Sequence, residues 1–533
     1  MHNHSKHLPT VREAFLQLMR DLGIDTIFGN PGSTELPMFR DFPQDFRYVL
    51  GLQESVVVGM ADGYAQVTGN AALVNLHSAA GVGHAMGNIF TAFKNQTPLI
   101  ITAGQQARSM LPFDPFLFAA QSTELPKPYV KWACEPARAE DVPLALARAY
   151  HMAMQAPCGP VFVSIPADDW EKTTDWVVPR KVSRSIAPDP KVLQQVAQAL
   201  NNAQNPAIVA GTGVDRDGAM DWLVQLAETH QATVYTAPMS ARCSFPEGHR
   251  LFGGFLPAMR EPIVQRLQDH DLVLVLGAPA FLYHVEGHGP HIPPCATLWQ
   301  IVDDPQIAAW TPIGNSLVSS LHLAIEALLQ ASAPKKRVPP AVAPRAEPVP
   351  AGSPMSVAYA LQVLHEARHE HDVVVEEAPG SRGVMQARLP MAGADSFYTM
   401  ASGGLGFGMP AAVGVALGRQ KRGLKGRTIA LIGDGSSMYS IQALYTAAQL
   451  ALPITFVILN NRRYAALQDF APVFGFAAGE KPAGTDLPNL DFVLLAKGQG
   501  LQASRVDNPL NLPEELRIAL HAEGPRLIEL VVA

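Results

Sequence analysis

Along most of this chain, short unbroken apolar runs alternate with stretches in which apolar residues recur every three or four positions, the patterns of buried strands and of amphipathic helices. The clearest instance lies between Arg427 and Gln468. Thr428 to Ile432 is a continuous apolar run ending in Gly433-Asp434-Gly435, and apolar positions at Ile441, Leu444, Tyr445 and Ala448 then predict a helix closed by Pro453. Ile454 to Leu459 is a second buried run that delivers Asn460 and Asn461 at its carboxyl end. A right-handed crossover between parallel strands brings these two ends side by side, so Asp434 and Asn461 are expected to meet. Their oxygens suit Mg²⁺, and a glycine-flanked turn at a helix amino terminus suits a diphosphate. Taken alone, Gly-Asp-Gly reads equally well as an ordinary turn between a strand and a helix.

The same alternation fills the amino-terminal third. A helix is expected over Val11 to Leu22, and a strand over Thr26 to Gly29 running into Asn30-Pro31-Gly32-Ser33. A strand at Arg47 to Leu52 leads to Gln53-Glu54 and a helix over Ser55 to Thr68, and a strand at Ala72 to Leu76 ends at His77. This is an α/β fold, with parallel sheets covered by helices on both faces. Such sheets place their chemistry at the carboxyl ends of strands, where Ser33, Glu54 and His77 each fall. Any one of them would serve as a cap or turn former; three at equivalent positions of one sheet point to a site.

A charged, proline-bearing stretch near 171–190 marks a boundary, and a middle unit follows. It has strands at Ala207 to Ala210, Thr233 to Thr236, Leu272 to Leu276 and Thr297 to Val302, with a helix at Leu193 to Ala203. Gly211-Thr212-Gly213 follows a strand but lacks both the rest of a dinucleotide fingerprint and its acidic partner. Tyr283-His284 is the polar feature of interest here. The proline- and alanine-rich stretch 331–354 reads as an extended, semi-rigid linker. The expected division is thus 1–180, 181–335, a linker at 336–354, and 355–533, with the two outer units similar in architecture but without a residue-level repeat.

Composition narrows the partners. The 533 residues are 48% hydrophobic and carry a net charge of −7, with no basic stripe, which argues against nucleic acid or an anionic membrane and for a small molecule. Cys134, Cys158, Cys243 and Cys295 are scattered without metal-ligand spacing and fit packing roles in a reducing cytoplasm. MHNHSKHLPT has no apolar signal core, and no later apolar run reaches membrane-spanning length. His2, His4 and His7 are expected to belong to a disordered tail.

The Gly-Asp-Gly to Asn-Asn spacing resembles the diphosphate motif of thiamine diphosphate (ThDP) enzymes. FGNPGSTELP (Phe28 to Pro37), LQESVVVGMADGYAQ (Leu52 to Gln66), NLHSAAGVGHAMG (Asn75 to Gly87), PLIITAGQQAR (Pro98 to Arg108), LGAPAFLYH (Leu276 to His284) and ASGGLGFGMPAAVGV (Ala401 to Val415) carry the likeness over nearly the whole chain. The chain resembles the ThDP-dependent 2-oxo acid decarboxylases, on the benzoylformate decarboxylase side of that family. The resemblance implies three pyruvate decarboxylase-like domains: one for the aminopyrimidine, a central one without cofactor, and one for the diphosphate. It also implies a cofactor held between two subunits of a homodimer or homotetramer.

Decarboxylating a 2-oxo acid leaves an acyl carbanion that no side chain can absorb, and the ThDP ylid is the electron sink. By resemblance, Glu54 activates the pyrimidine, Leu405 is the apolar wedge that bends the cofactor, and the Gly403 carbonyl takes the exocyclic amine. Gly433, Gly435, Ser436 and Tyr464 match the diphosphate side, with Glu377 nearby, and Asp434, Asn461 and the Arg463 carbonyl match the ligands of Mg²⁺, for which Ca²⁺ can substitute. His77 and His284 match a pair that moves protons on the substrate, and Ser33 a group that binds its carboxylate. Leu117, Leu467 and Phe470 offer an apolar wall for an aryl ring. Three departures stand out: Thr399-Met400 where the family carries a bulky aromatic, which places these two in a substrate pocket that is expected to be wider or more polar, Ala378-Pro379 where hydroxyl residues are common, and His84 where an asparagine is expected. The implied reaction is decarboxylation of benzoylformate to benzaldehyde and CO₂. The alternatives are another 2-oxo acid, a carboligase or acetolactate synthase-like enzyme, and a noncatalytic binding protein; the incomplete glycine motif at Gly211 argues against flavin.

Overall fold

The structure, a computed structural model, describes residues 8–333, 336–341, 346–477 and 479–533. The expected disorder at His2, His4 and His7 lies outside the described residues. Three six-stranded sheets, every neighbouring pair parallel, account for the apolar runs. The first holds β1 (Thr26–Gly29), β2 (Arg47–Leu50), β3 (Ala72–Leu76), β4 (Leu99–Gln105), β5 (Ala133–Cys134) and β6 (Val161–Pro166). The second holds β7 (Pro206–Ala210), β8 (Thr233–Thr236), β9 (Phe252–Phe255), β10 (Leu272–Leu276), β11 (Thr297–Val302) and β12 (Asn315–Val318). The third holds β13 (Val373–Glu377), β14 (Phe397–Tyr398), β15 (Thr428–Gly433), β16 (Ile454–Asn460), β17 (Gln502–Val506) and β18 (Arg526–Val531).

The spatial orders are β2-β1-β3-β4-β6-β5 in the first sheet and β14-β13-β15-β16-β18-β17 in the third. These are one topology written twice, although the sequences show no repeat. The middle sheet runs β12-β11-β10-β7-β8-β9, the order of doubly wound dinucleotide folds. Its glycine motif is nonetheless committed to packing. A Cβ on Gly211 would lie 2.4 Å from the Ala278 Cβ, and one on Gly213 would lie 2.8 Å from the Gly277 Cα. The glycines let the ends of β7 and β10 touch, and no cradle is left open between them.

In the third sheet Gly433 of β15 pairs with Leu459 of β16, so the residues that follow these strands emerge level with each other. The turn and helix expected after β15 are both present: a single helical turn, Asp434–Ser437, is followed by irregular chain and then a seven-residue helix, Ala443–Gln449, that stops short of Pro453. The Ser437 hydroxyl donates to the Asp434 carbonyl at 2.7 Å and closes that first turn on itself.

The outer units meet through two helices that are buried almost end to end, Glu54–Thr68 and Gly408–Lys421. Their backbones touch at glycine. A Cβ on Gly414 would sit 1.9 Å from the Met60 carbonyl oxygen, and one on Gly63 would sit 2.3 Å from that of Ala411. We therefore expect Gly414→Ala to force the helices apart and destabilise the fold by about 1–3 kcal/mol or more. A thermal melt that matches the unaltered protein would contradict this packing.

Candidate active site

At the carboxyl edge of the first sheet, Ser33 is exposed in the turn after β1, while Thr34 and Glu35 beside it are buried. Glu54 opens its helix, which Gln53 caps by accepting the Val56 N–H. His77 stands at the N-cap of the helix Ser78–Asn95 without capping it, so its ring is free for other work. His77 Nδ1 lies 2.8 Å from Glu35 Oε2 and 3.2 Å from the Thr34 hydroxyl. Glu35 is itself fixed: Oε2 accepts the Gly32 N–H at 2.9 Å, and Oε1 accepts the Gly104 N–H at 2.9 Å and the Thr34 hydroxyl at 2.7 Å. Gly32 is required, since a Cβ there would lie 2.1 Å from His77 Nδ1. A carboxylate accepts only, so Nδ1 carries the proton and Nε2 is the nitrogen left for chemistry. Sequence reasoning missed Glu35; it lies within the FGNPGSTELP segment but two residues past the strand-end position that drew attention to Ser33.

At the matching edge of the third sheet, Asp434 is 4% exposed. Its Oδ1 accepts the Gly435 N–H at 2.7 Å, and its Oδ2 is buried without a partner. Burial pushes the carboxyl upward, against the pull of the backbone N–H groups of Gly435 and of residues 461–463. Asn461 begins a tight turn in which its Oδ1 accepts the Arg463 N–H at 3.2 Å and Arg462 adopts φ 59°. The Tyr464 ring fills the space over Gly435, and Ser436 is buried beside it. An orphaned, buried carboxylate oxygen beside the turn that begins at Asn461 suits a hard divalent cation. No group of three or more His, Cys, Asp or Glu side chains able to hold a metal occurs among the described residues. A cation here would keep positive charge to spare for an anionic ligand such as a diphosphate.

Between the two edges runs the loop with Gly403, Leu405 and Gly406. Glu377 is engaged at this point. Its carboxyl accepts the Gly406 N–H at 2.7 Å and those of Phe407 and Gly408, and burial raises it to about 7. Both oxygens hold the loop that carries Leu405, so Glu377 positions that loop. The Gly406 carbonyl in turn accepts the Asn88 amide at 3.1 Å. In the middle unit the His284 N–H donates to the Ala258 carbonyl at 2.9 Å, and the exposed ring stacks on Phe470 at 4.8 Å and 21°. Leu467, 57% exposed, shares the short helix of Phe470. The Leu117 carbonyl accepts the Ser78 hydroxyl at 2.6 Å, at the start of the His77 helix. Among the described residues, no hydrogen bond or ring contact joins the Ser33, Glu54 and His77 group to the Asp434 and Asn461 group.

This division between two sheet edges is mirrored in the family comparisons. The model for the thiamine pyrophosphate enzyme N-terminal TPP binding domain matches residues 9–124, that for the central domain 193–328, and that for the C-terminal TPP binding domain 380–530. Benzoylformate decarboxylase of Pseudomonas aeruginosa is 41% identical over 527 residues, covering 98% of each chain. The chain belongs to the thiamine pyrophosphate enzymes. Among solved structures, benzoylformate decarboxylase from Polynucleobacter necessarius superposes with a TM-score of 0.96 at 40% identity, over 98% of this chain and 99% of that one. The thiamine diphosphate-dependent 4-hydroxybenzoylformate decarboxylase of Rhodococcus jostii RHA1 gives 0.94 at 39%, over 98% and 99%.

For a thiamine pyrophosphate enzyme the residues present fit the cofactor: Glu54 would meet the pyrimidine, Leu405 the ring junction, and Asp434, Asn461 and Arg463 a cation on the diphosphate. The expectation of extra polarity at Thr399 is corrected. The Thr399 hydroxyl donates to the Glu376 carbonyl at 2.8 Å and accepts from Arg382 Nη2 at 2.7 Å, and Arg382 also pairs with Glu376 Oε2 at 2.6 Å. Thr399 is 1% exposed, and Met400, at 2%, packs in the core. The polarity is absorbed inside the third unit.

Two outcomes are expected. In metal-free protein, Asp434→Asn removes the unpaired buried charge and raises the melting temperature, a gain of about 1–3 kcal/mol. Mg²⁺ with ThDP stabilises the unaltered chain but not this variant. A lower melting temperature in Asp434→Asn without ligands would contradict the orphaned oxygen. Glu35→Gln, which keeps shape but offers the wrong group to His77, should lower kcat by roughly 10²-fold or more with little change in ThDP affinity; equal kcat in the two proteins would remove Glu35 from the machinery.

Proposed function

We propose that the protein decarboxylates an aromatic 2-oxo acid without oxidation, taking benzoylformate and one proton to benzaldehyde and CO₂. The observation that carries this reading is His284 lying flat on Phe470 beside Leu467: a proton-carrying ring set in an apolar, aromatic wall. Full-length similarity to benzoylformate decarboxylase supports it.

ThDP, when bound with Mg²⁺, supplies the sink for the electron pair that departing CO₂ leaves behind. The chain does the rest. Ser33, exposed at the sheet edge, offers its hydroxyl to the substrate carboxylate. His77 has its Nδ1 tied to Glu35 and so presents Nε2 to the oxygen of the substrate carbonyl, accepting or returning a proton there. His284 serves the carbon that loses CO₂ and must gain a proton. Leu117, Leu467 and Phe470 receive the aryl ring and keep water from the reacting carbon.

We also assign the working form as a homodimer or homotetramer in the cytoplasm, each cofactor bridging two copies. Leu36 (63%), Phe113 (80%), Phe116 (86%) and Phe474 (69%) are apolar and exposed around the two sheet edges of the single chain, which suits their burial by a second copy. No helix among the described residues is long and apolar enough to cross a membrane.

The test is CO₂ release by purified protein with Mg²⁺ and ThDP, from benzoylformate, phenylpyruvate and pyruvate in parallel. Benzoylformate is expected to turn over fastest, and Glu54→Gln to abolish release. Turnover of pyruvate alone would move the substrate; silence on all three, with ThDP bound, would end the decarboxylase reading.

A further inference from the structure

One contact beside Glu54 is made by a histidine on the helix that follows β3. His84 lies on the first turns of the helix Ser78–Asn95, and its Nδ1 is 3.2 Å from Glu54 Oε2. The ring is 65% exposed while the Glu54 side chain is only 12% exposed, so the histidine reaches in from the solvent side. The other oxygen, Oε1, has one weak partner, the Asn30 amide at 3.4 Å. The Gln53 amide donates to the His84 carbonyl at 3.5 Å and keeps the turn against the Glu54 helix.

We propose that His84 is a positioning residue for Glu54, its ring N–H holding Oε2 so that Oε1 is the oxygen offered to the cofactor pyrimidine. The inference rests on Glu54 as the group that exchanges a proton with the pyrimidine ring nitrogen, and on no particular substrate. In that exchange the proton leaves the Glu54 carboxyl, the ring nitrogen gains it, and a carboxylate remains. A donor on Oε2 stabilises that carboxylate through a hydrogen bond to its charged form. An asparagine amide placed there would offer the same kind of donor. Of the other groups around Glu54, Asn30 and Gln53 are neutral, and the His77 ring is engaged by Glu35 and Thr34.

The experiment uses holoenzyme with Mg²⁺ and ThDP and no 2-oxo acid, measuring deuterium exchange at the thiazolium C2 of bound ThDP from pH 5.5 to 8, with ThDP affinity measured separately. His84→Ala should slow exchange by roughly tenfold, the effect of one hydrogen bond to a charged group. His84→Asn, which restores an N–H donor, should recover most of the rate. Both variants change an exposed side chain and are expected to fold and to retain ThDP. Exchange at an unchanged rate in His84→Ala overturns the proposal, as does exchange in His84→Asn no faster than in His84→Ala. Glu54→Gln, run alongside, should abolish exchange; exchange that persists there overturns the role of Glu54 itself. Neither result bears on which acid the enzyme decarboxylates.

Discussion

The contact on which the rest of this structure depends is the backbone-close packing of two buried helices, Glu54–Thr68 and Gly408–Lys421. One begins with Glu54, and the other begins just past the loop that carries Leu405. Glycines at the crossing let the helices approach until main chain meets main chain. Interiors packed at this density move as units, so the offset between Glu54 and the base of the Leu405 loop is fixed by helix packing. Asn88 ties the two together again, since its amide donates both to the Ser55 carbonyl and to the Gly406 carbonyl.

Around that core the buried polar groups serve mainly as supports for other residues. Glu35 holds His77, Glu377 holds the wedge loop, and the Arg382, Glu376 and Thr399 cluster braces the end of β13. Each saturates its hydrogen bonds within the protein, as buried polar groups must. Asp434 differs from these three in leaving a carboxylate oxygen unpaired, and it sits where a cation would.

Much of this was legible in the residues. Strand positions followed from apolar runs, and β3, β8, β10 and β11 begin and end where the pattern put them, because a strand buried on both faces has no alternation to blur. The edge positions of Ser33, Glu54, His77, Asp434 and Asn461 followed from the same rule. The helix after β15 followed from the spacing of Ile441, Leu444 and Ala448, and it runs from Ala443 to Gln449 once the turn closed by Ser437 is past. Glu35 and Glu377 could not be ranked from sequence, for their importance lies in which backbone N–H groups converge on them. Thr399 shows the same limit from the other side: its hydroxyl suggested a more polar cleft, but Arg382, seventeen positions earlier, claims it.

The partnerless oxygen of Asp434 also means that the chain alone does not hold all of its own stability. A fold that keeps a buried carboxylate for a cation places part of its free energy in the chemical potential of that cation, and gains it only by mass action. A chain whose cation site is empty would open locally more often there, so ligand supply would bear on how long each molecule survives as well as on its activity.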